Sequence, residues 1–134
     1  MLIDEYIVIG RPSGQVQKPT AQQKRIVIAA CEPLIASLKE NISPIPDKLE
    51  INHLVDIYGK WFRNQYHIYL VYHCPPNSFE KKMEFGLARL GWTGGDTYIL
   101  SSYMAHRKKW EAFYEKIPLE KAIERIADGD YFCF

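Results

Sequence analysis

Between Lys48 and Tyr114 apolar and polar side chains alternate with a period of two, while before and after that stretch apolar residues recur every three to four positions. The chain therefore reads as strands flanked by helices. Thr20, with Gln23 three residues on, makes a capping box in which each side chain can satisfy a backbone N–H left unpaired by the first helical turn. From there Ile26, Ala30, Leu34 and Leu38 form an apolar stripe and Lys24, Glu32 and Lys39 stay wet, which predicts an amphipathic helix to about Glu40. Pro33 loses one backbone bond and clashes with the carbonyl four residues back, at a cost of about 3 kcal/mol, so a kink or break is expected near Cys31. Ser43-Pro44-Ile45-Pro46-Asp47 ends the segment.

Leu49, Ile51, Val55 and Ile57 then alternate on one strand and Tyr66, Ile68, Leu70 and Tyr72 on the next. Their hairpin turns at Gly59-Lys60 or at Arg63-Asn64. The second fits better, because Asn tolerates the left-handed conformation and Gly59 is then free to act as a bulge. Lys82 to Trp92 and Thr97 to Met104 are two further strands, joined through Thr93-Gly94-Gly95-Asp96, where paired glycines supply positive φ angles. Arg107-Lys108 reverses the chain into a strand from Lys109 to Tyr114.

At the N-terminus, Leu2 to Ile9 reads as a short strand before a turn-rich linker, with the sheet edge as its expected place. Pro118 opens a last helix whose apolar face is Leu119, Ala122, Ile123, Ile126 and Ala127, and Gly129 closes it. Tyr131-Phe132-Cys133-Phe134 is too apolar for a free tail and is expected against the sheet or a partner chain. The expected architecture is a single α+β domain over 1–134: a strand and linker over 1–19, then an antiparallel meander of four to five strands with an N-terminal and a C-terminal helix on one face.

Composition narrows the partners. Seventeen Lys and Arg against sixteen Asp and Glu give a net charge of +1, so only a local patch could gather nucleic acid or an anionic membrane. At 47% hydrophobic and 25% charged, the 134 residues are those of an ordinary globular chain. Cys31, Cys74 and Cys133 are odd in number and lack a Cys-x-x-Cys pair, which argues against a disulfide framework and fits a reducing compartment. Neither a signal-peptide pattern nor a membrane-length apolar run is present, and cytoplasmic residence is expected.

Candidate chemistry is sparse. His67 and His73 share a strand face but sit about 20 Å apart, and Cys74 points away from both, so the three cannot hold one metal; no metal or cofactor is expected. With the turn at Arg63-Asn64, His53 falls opposite Cys74, whereas the other register sets it against Leu70. His106, Arg107, Lys108, Lys109 and Trp110 put cations beside an aromatic, a combination that binds phosphate by charge and a base by stacking. Basic turns also keep hairpin tips soluble, which is the commoner use. Glu80, Glu84, Asp96, Glu111, Asp128 and Asp130 show no spacing that demands acid and base roles. Phosphate loops, nucleophile elbows and dinucleotide fingerprints are lacking.

Aromatic side chains fall on both strand faces, yet two helices cover only one. Tyr98, Tyr103, Phe132 and Phe134 are therefore expected in an exposed interface patch, and the leading expectation is a non-catalytic binding or interaction module that forms a homodimer through this sheet face, with another protein as a second partner. A nucleic-acid accessory protein using the basic turn, or an enzyme of unrecognised class built on His53, His67, His73, Cys74 or His106, are the rivals.

Several local patterns carry a family resemblance. Ile45-Pro46-Asp47-Lys48-Leu49, Phe85 to Arg89 before an aromatic and a hairpin, Lys109-Trp110 and the Phe132-Cys133-Phe134 ending together resemble a bacterial family of small proteins, domain of unknown function 3024. The resemblance runs from about Thr20 to Phe134 and implies no activity, so no catalytic residue follows from it. Where that family tends to show Arg-Pro and a Trp after the second strand, this chain has His73-Cys74-Pro75-Pro76.

Overall fold

The structure, a computed structural model, describes residues 4–129 and Phe132. Helix α1 (Ala21–Lys39) leads into five strands, β1 (His53–Phe62), β2 (Gln65–His73), β3 (Lys82–Gly94), β4 (Thr97–Met104) and β5 (Lys109–Ile117), and α2 (Leu119–Asp128) follows. The strands form one antiparallel sheet in the order β1-β2-β3-β4-β5, each joined to the next by a short connection. The fold is α+β, a five-stranded meander with a helix before it and a helix after it.

Alternation decides which face the helices cover. Val27, Cys31, Leu34 and Leu38 of α1 and Leu119, Ala122 and Ile126 of α2 share one buried cluster with Ile57, Tyr66, Ile68, Ala88, Leu90, Tyr98, Leu100 and Tyr114 of the sheet. These strand residues are cross-strand neighbours on a single face, as the pairs Ile68–Ala88, Tyr66–Leu90, Leu90–Leu100 and Leu100–Tyr114 show. The two helices pack on each other as well as on that face, so the opposite face carries no helix.

Several local expectations are corrected. The apolar stripe of α1 starts at Val27, one residue later than expected, and Ile26 is exposed. Pro33 does not break α1. Both Pro33 and Ala29 are exposed, so the carbonyl left without its helical donor lies on the wet side of the helix. Half of the capping box forms: the Thr20 hydroxyl accepts from the Gln23 backbone N–H at 3.0 Å, while the Gln23 side chain donates to the Tyr98 phenol at 3.1 Å instead. β1 begins at His53 rather than Lys48. The segment after β2 is Cys74-Pro75-Pro76, whose prolines have no N–H to give a longer strand, and Ile51 is left exposed.

The turn at Arg63-Asn64 is confirmed, with φ of 48° and 67°, as is Gly94-Gly95, with φ of 104° and 56°. The bulge in the first hairpin lies between Leu54 and Asp56, not at Gly59, which pairs regularly with Ile68. That single extra residue moves His53 opposite His73 rather than Cys74. Residues 4–9 form a single bridge, Ile7 with Tyr114, rather than a strand, and hydrogen bonds to Phe113 and Glu115 hold them to the outer edge of β5. The linker then crosses the β3–β4 hairpin, with the Gln17 N–H donating to the Trp92 carbonyl at 2.7 Å. Among the described residues no helix is long and apolar enough to cross a membrane.

Candidate functional site

The helix-free face is ordered in rows, because antiparallel partners on one face stand side by side across the strands. One row is aromatic. Tyr58 of β1 pairs with Tyr69 of β2, which pairs with Gly86 of β3, and Tyr103 of β4 pairs with Trp110 of β5. Trp110 closes the gap, since its six-membered ring lies over Gly86, 2.5 Å from where a Cβ would stand. Ring centres are 5.5 Å apart for Tyr58–Tyr69 and 5.5 Å for Tyr103–Trp110. At the strand spacing of about 4.8 Å, the row spans about 19 Å from β1 to β5.

The adjoining row is basic at its β1 half. Lys60 pairs with His67, His67 with Arg89, and Arg89 with Ser101. The Lys60 ammonium lies 5.5 Å from the Tyr69 ring centre, and the Arg89 guanidinium 5.0 Å from that of Trp110. Arg63, in the β1–β2 turn, sits 5.2 Å from the Phe62 ring. The ion pairs of the described residues do not involve Arg89, and its buried Nε has no hydrogen-bond partner. His67 stacks parallel on Tyr69 at 5.6 Å, meets Trp110 edge-on at 5.4 Å, and is 5% exposed. Burial, with Arg89 and Lys60 nearby, holds its pKa below the ordinary histidine value, against the opposing effect of its hydrogen bond to the Gln65 carbonyl.

On the other side of the ring row a cleft of about 430 Å³ opens between Tyr69, Glu84, Gly86, Tyr103, Lys108 and Trp110, a size typical of small-ligand sites. Glu84 accepts from the Tyr58 hydroxyl at 2.9 Å, and burial together with this carboxylate pushes the Tyr58 phenol up to about 12.

The basic turn divides between roles. Arg107 and Lys109 both pair with Glu111, whereas Lys108 lines the cleft and Trp110 belongs to the ring row. His106 is exposed at the turn itself. Of the aromatics expected at the surface, Tyr103 lies on the helix-free face. Tyr98 is wholly buried beneath the helices, and Phe132 is 2% exposed against Phe113. Both are core residues, because Tyr98 takes the parity of Leu100 and Phe132 closes the end of the same cluster. Phe134 lies outside the described residues.

The histidines and cysteine do not gather. His53 faces His73 at one end of the sheet and contacts the Ser43 carbonyl at 2.8 Å; His67 lies six residues along β2, and Cys74 is buried. Among the described residues no group of three His, Cys, Asp or Glu could hold a metal ion.

Tyr58, Lys60, Gly86 and Arg89 are absent from the candidates that sequence reasoning picked out. The period of two on β1 and β2 does place Tyr58 and Lys60 with Tyr69 and His67. On β3 the bulge at Leu87 breaks the parity, so that Gly86 and Arg89, three residues apart, share one face.

No curated protein and no solved structure matches the chain. A family model described as domain of unknown function (DUF3024) matches residues 18–134, which is most of the sequence and includes every strand and both helices. The chain therefore belongs to the DUF3024 family.

Proposed function

We propose that the protein is a non-catalytic binding module that takes an anionic partner on the helix-free face of its sheet. The observation that carries this reading is the adjacency of the two rows: half-exposed rings from β1 to β5, and beside them Lys60 and an Arg89 with no acidic partner among the described residues. A soluble chain seldom leaves rings in a continuous row without a use for them, and cations set over the rings favour a ligand of opposite charge.

The same charges bear on a homodimer formed through this face, the leading expectation from sequence. Two copies meeting there would bring together surfaces each carrying Lys60, Arg63, Arg89 and Lys108 against Glu84, and like-charged surfaces repel. An anionic partner meets no such penalty. Retention on immobilised heparin tests the reading. The wild-type chain is expected to bind at low salt, Lys60→Glu with Lys108→Glu to elute early, and Lys24→Glu with Lys121→Glu, on the helices, to behave as wild type. Equal loss in both pairs, or no retention at all, would refute it. Sedimentation at micromolar concentration separates the rival: a 31 kDa species, about twice the 15.6 kDa chain, that dissociates on Tyr103→Glu would favour the dimer.

A further inference from the structure

We propose that the anionic partner is single-stranded nucleic acid, laid across the strands with its bases on the row Tyr58, Tyr69, Tyr103, Trp110 and its phosphates along Lys60 and Arg89; this rests on the binding-face reading above. Three features on the same face point to that chemistry. The rings form a track rather than a single pocket: Tyr58, Tyr69, Trp110 and Tyr103 follow one another across the sheet, with the buried His67 bridging Tyr69 and Trp110, at successive centre-to-centre distances of 5.4–5.6 Å, Trp110 meeting His67 and Tyr103 edge-on. A track of half-exposed rings suits successive unstacked bases and is sequence-tolerant. The cations flank the track: Lys60 and Arg89 occupy the next row, Arg63 stands beyond them in the β1–β2 turn and Lys108 stands in the cleft at the β5 end. Glu84, the acid in the cleft, accepts from Tyr58 through one carboxylate oxygen. Its other oxygen can accept from the exocyclic amine of a base, which a plain polyanion lacks.

Duplex presents no free base faces, so the geometry fits single strands. It also separates this surface from the tip of the basic turn, where Arg107 and Lys109 are neutralised by Glu111.

The test is fluorescence anisotropy of a labelled mixed-sequence strand of about 12 nucleotides, within the usual range of site sizes. Binding is expected at low salt with a log–log salt slope near −3, from about 0.7 per phosphate for Lys60, Arg63, Arg89 and Lys108. Tyr69→Leu and Tyr103→Leu should each weaken binding about tenfold, and Lys60→Ala with Lys108→Ala should flatten the slope by about 1.4. Arg107→Ala with Lys109→Ala should change neither. Circular dichroism of each variant confirms folding, and the unperturbed fold of the lysine pair keeps the test decisive should a tyrosine variant unfold. No binding at low salt, a duplex bound as well as the strand, adenosine monophosphate competing as well as the strand, or equal losses in the Arg107 and Lys109 pair would each overturn the inference. Heparin retention sensitive to Lys60 and Lys108 but with no strand binding would sink this inference and leave the binding-face reading standing.

Discussion

Trp110 lies across Gly86, and the sheet has room for that ring only because residue 86 has no side chain: a Cβ there would stand 2.5 Å from two ring carbons and 3.3 Å from the Tyr103 Cβ. The glycine on β3 and the tryptophan on β5 thus bring the aromatic row across the whole sheet.

Gly86→Ala should therefore displace Trp110. Overpacking of this kind costs about 1–3 kcal/mol, read as a lower urea midpoint, and the near-ultraviolet dichroism of the indole should weaken. Trp110→Leu in the Gly86→Ala background should recover part of the loss, whereas independent effects that simply add would show that the two residues do not share the space.

On the helix-covered face Gly59 plays the same part for Tyr66, whose phenol would come within 2.0 Å of a Cβ at 59. Gly59→Ala is expected to destabilise by about 1–3 kcal/mol, and by only somewhat less when Tyr66 is Phe, because the ring Cζ and Cε2, at 2.5 and 2.9 Å, still meet the new methyl once the hydroxyl is gone. Thermal unfolding of the four chains of this cycle measures the coupling.

These two glycines mark how far the sequence could be read. The period of two revealed the strands, Gly94-Gly95 and Arg63-Asn64 revealed the turns, and Pro118 with Gly129 bounded α2, because each of these is a local backbone property. A glycine in a strand has two uses, a bulge or a close approach by a neighbour, and the sequence around Gly59 does not tell them apart. The register set by the Arg63-Asn64 turn pairs Gly59 with Ile68 and puts Tyr66 next to it on the same face, and only the packed side chains show that Tyr66 fills the space. The site was less legible for the same reason. Trp110, Lys108 and Tyr103 were found, but the bulge at Leu87 hid the pairing of Arg89 with His67, and Tyr98 could be assigned to the core only once the helices had a face.

His67 gives the protein a pH-dependent stability of known sign. Its folded-state pKa is depressed below the ordinary histidine value, burial being the main cause, so on acidification the unfolded chain takes up a proton before the folded one does. Its contribution is fully present above about pH 6.5 and is lost as pH falls through the folded-state value, at no more than about 1.4 kcal/mol per pH unit for one proton. His67→Phe keeps the ring contacts with Tyr69 and should flatten that fall. Urea unfolding at pH 7.5 and 5.0 compares the two chains, and parallel losses would assign the acid sensitivity elsewhere.

Cys31 should be chemically silent. It is completely buried, and burial pushes its thiol up to about 12. In a Cys74→Ser, Cys133→Ser chain at pH 8, Ellman's reagent should react only at the rate of unfolding and at once in urea. Rapid labelling of the native chain would place Cys31 at the surface.

The claim on which the rest depends is that the helices leave one sheet face open, and hydroxyl-radical footprinting of the purified chain tests it residue by residue. Tyr69, Tyr103 and Trp110 should oxidise readily and be protected by a bound polyanion, while Tyr66, Tyr98 and Tyr114, under the helices, stay unlabelled in both conditions. Labelling of Tyr66 and Tyr98 with protection of Tyr69 and Trp110 in the free chain would contradict the account.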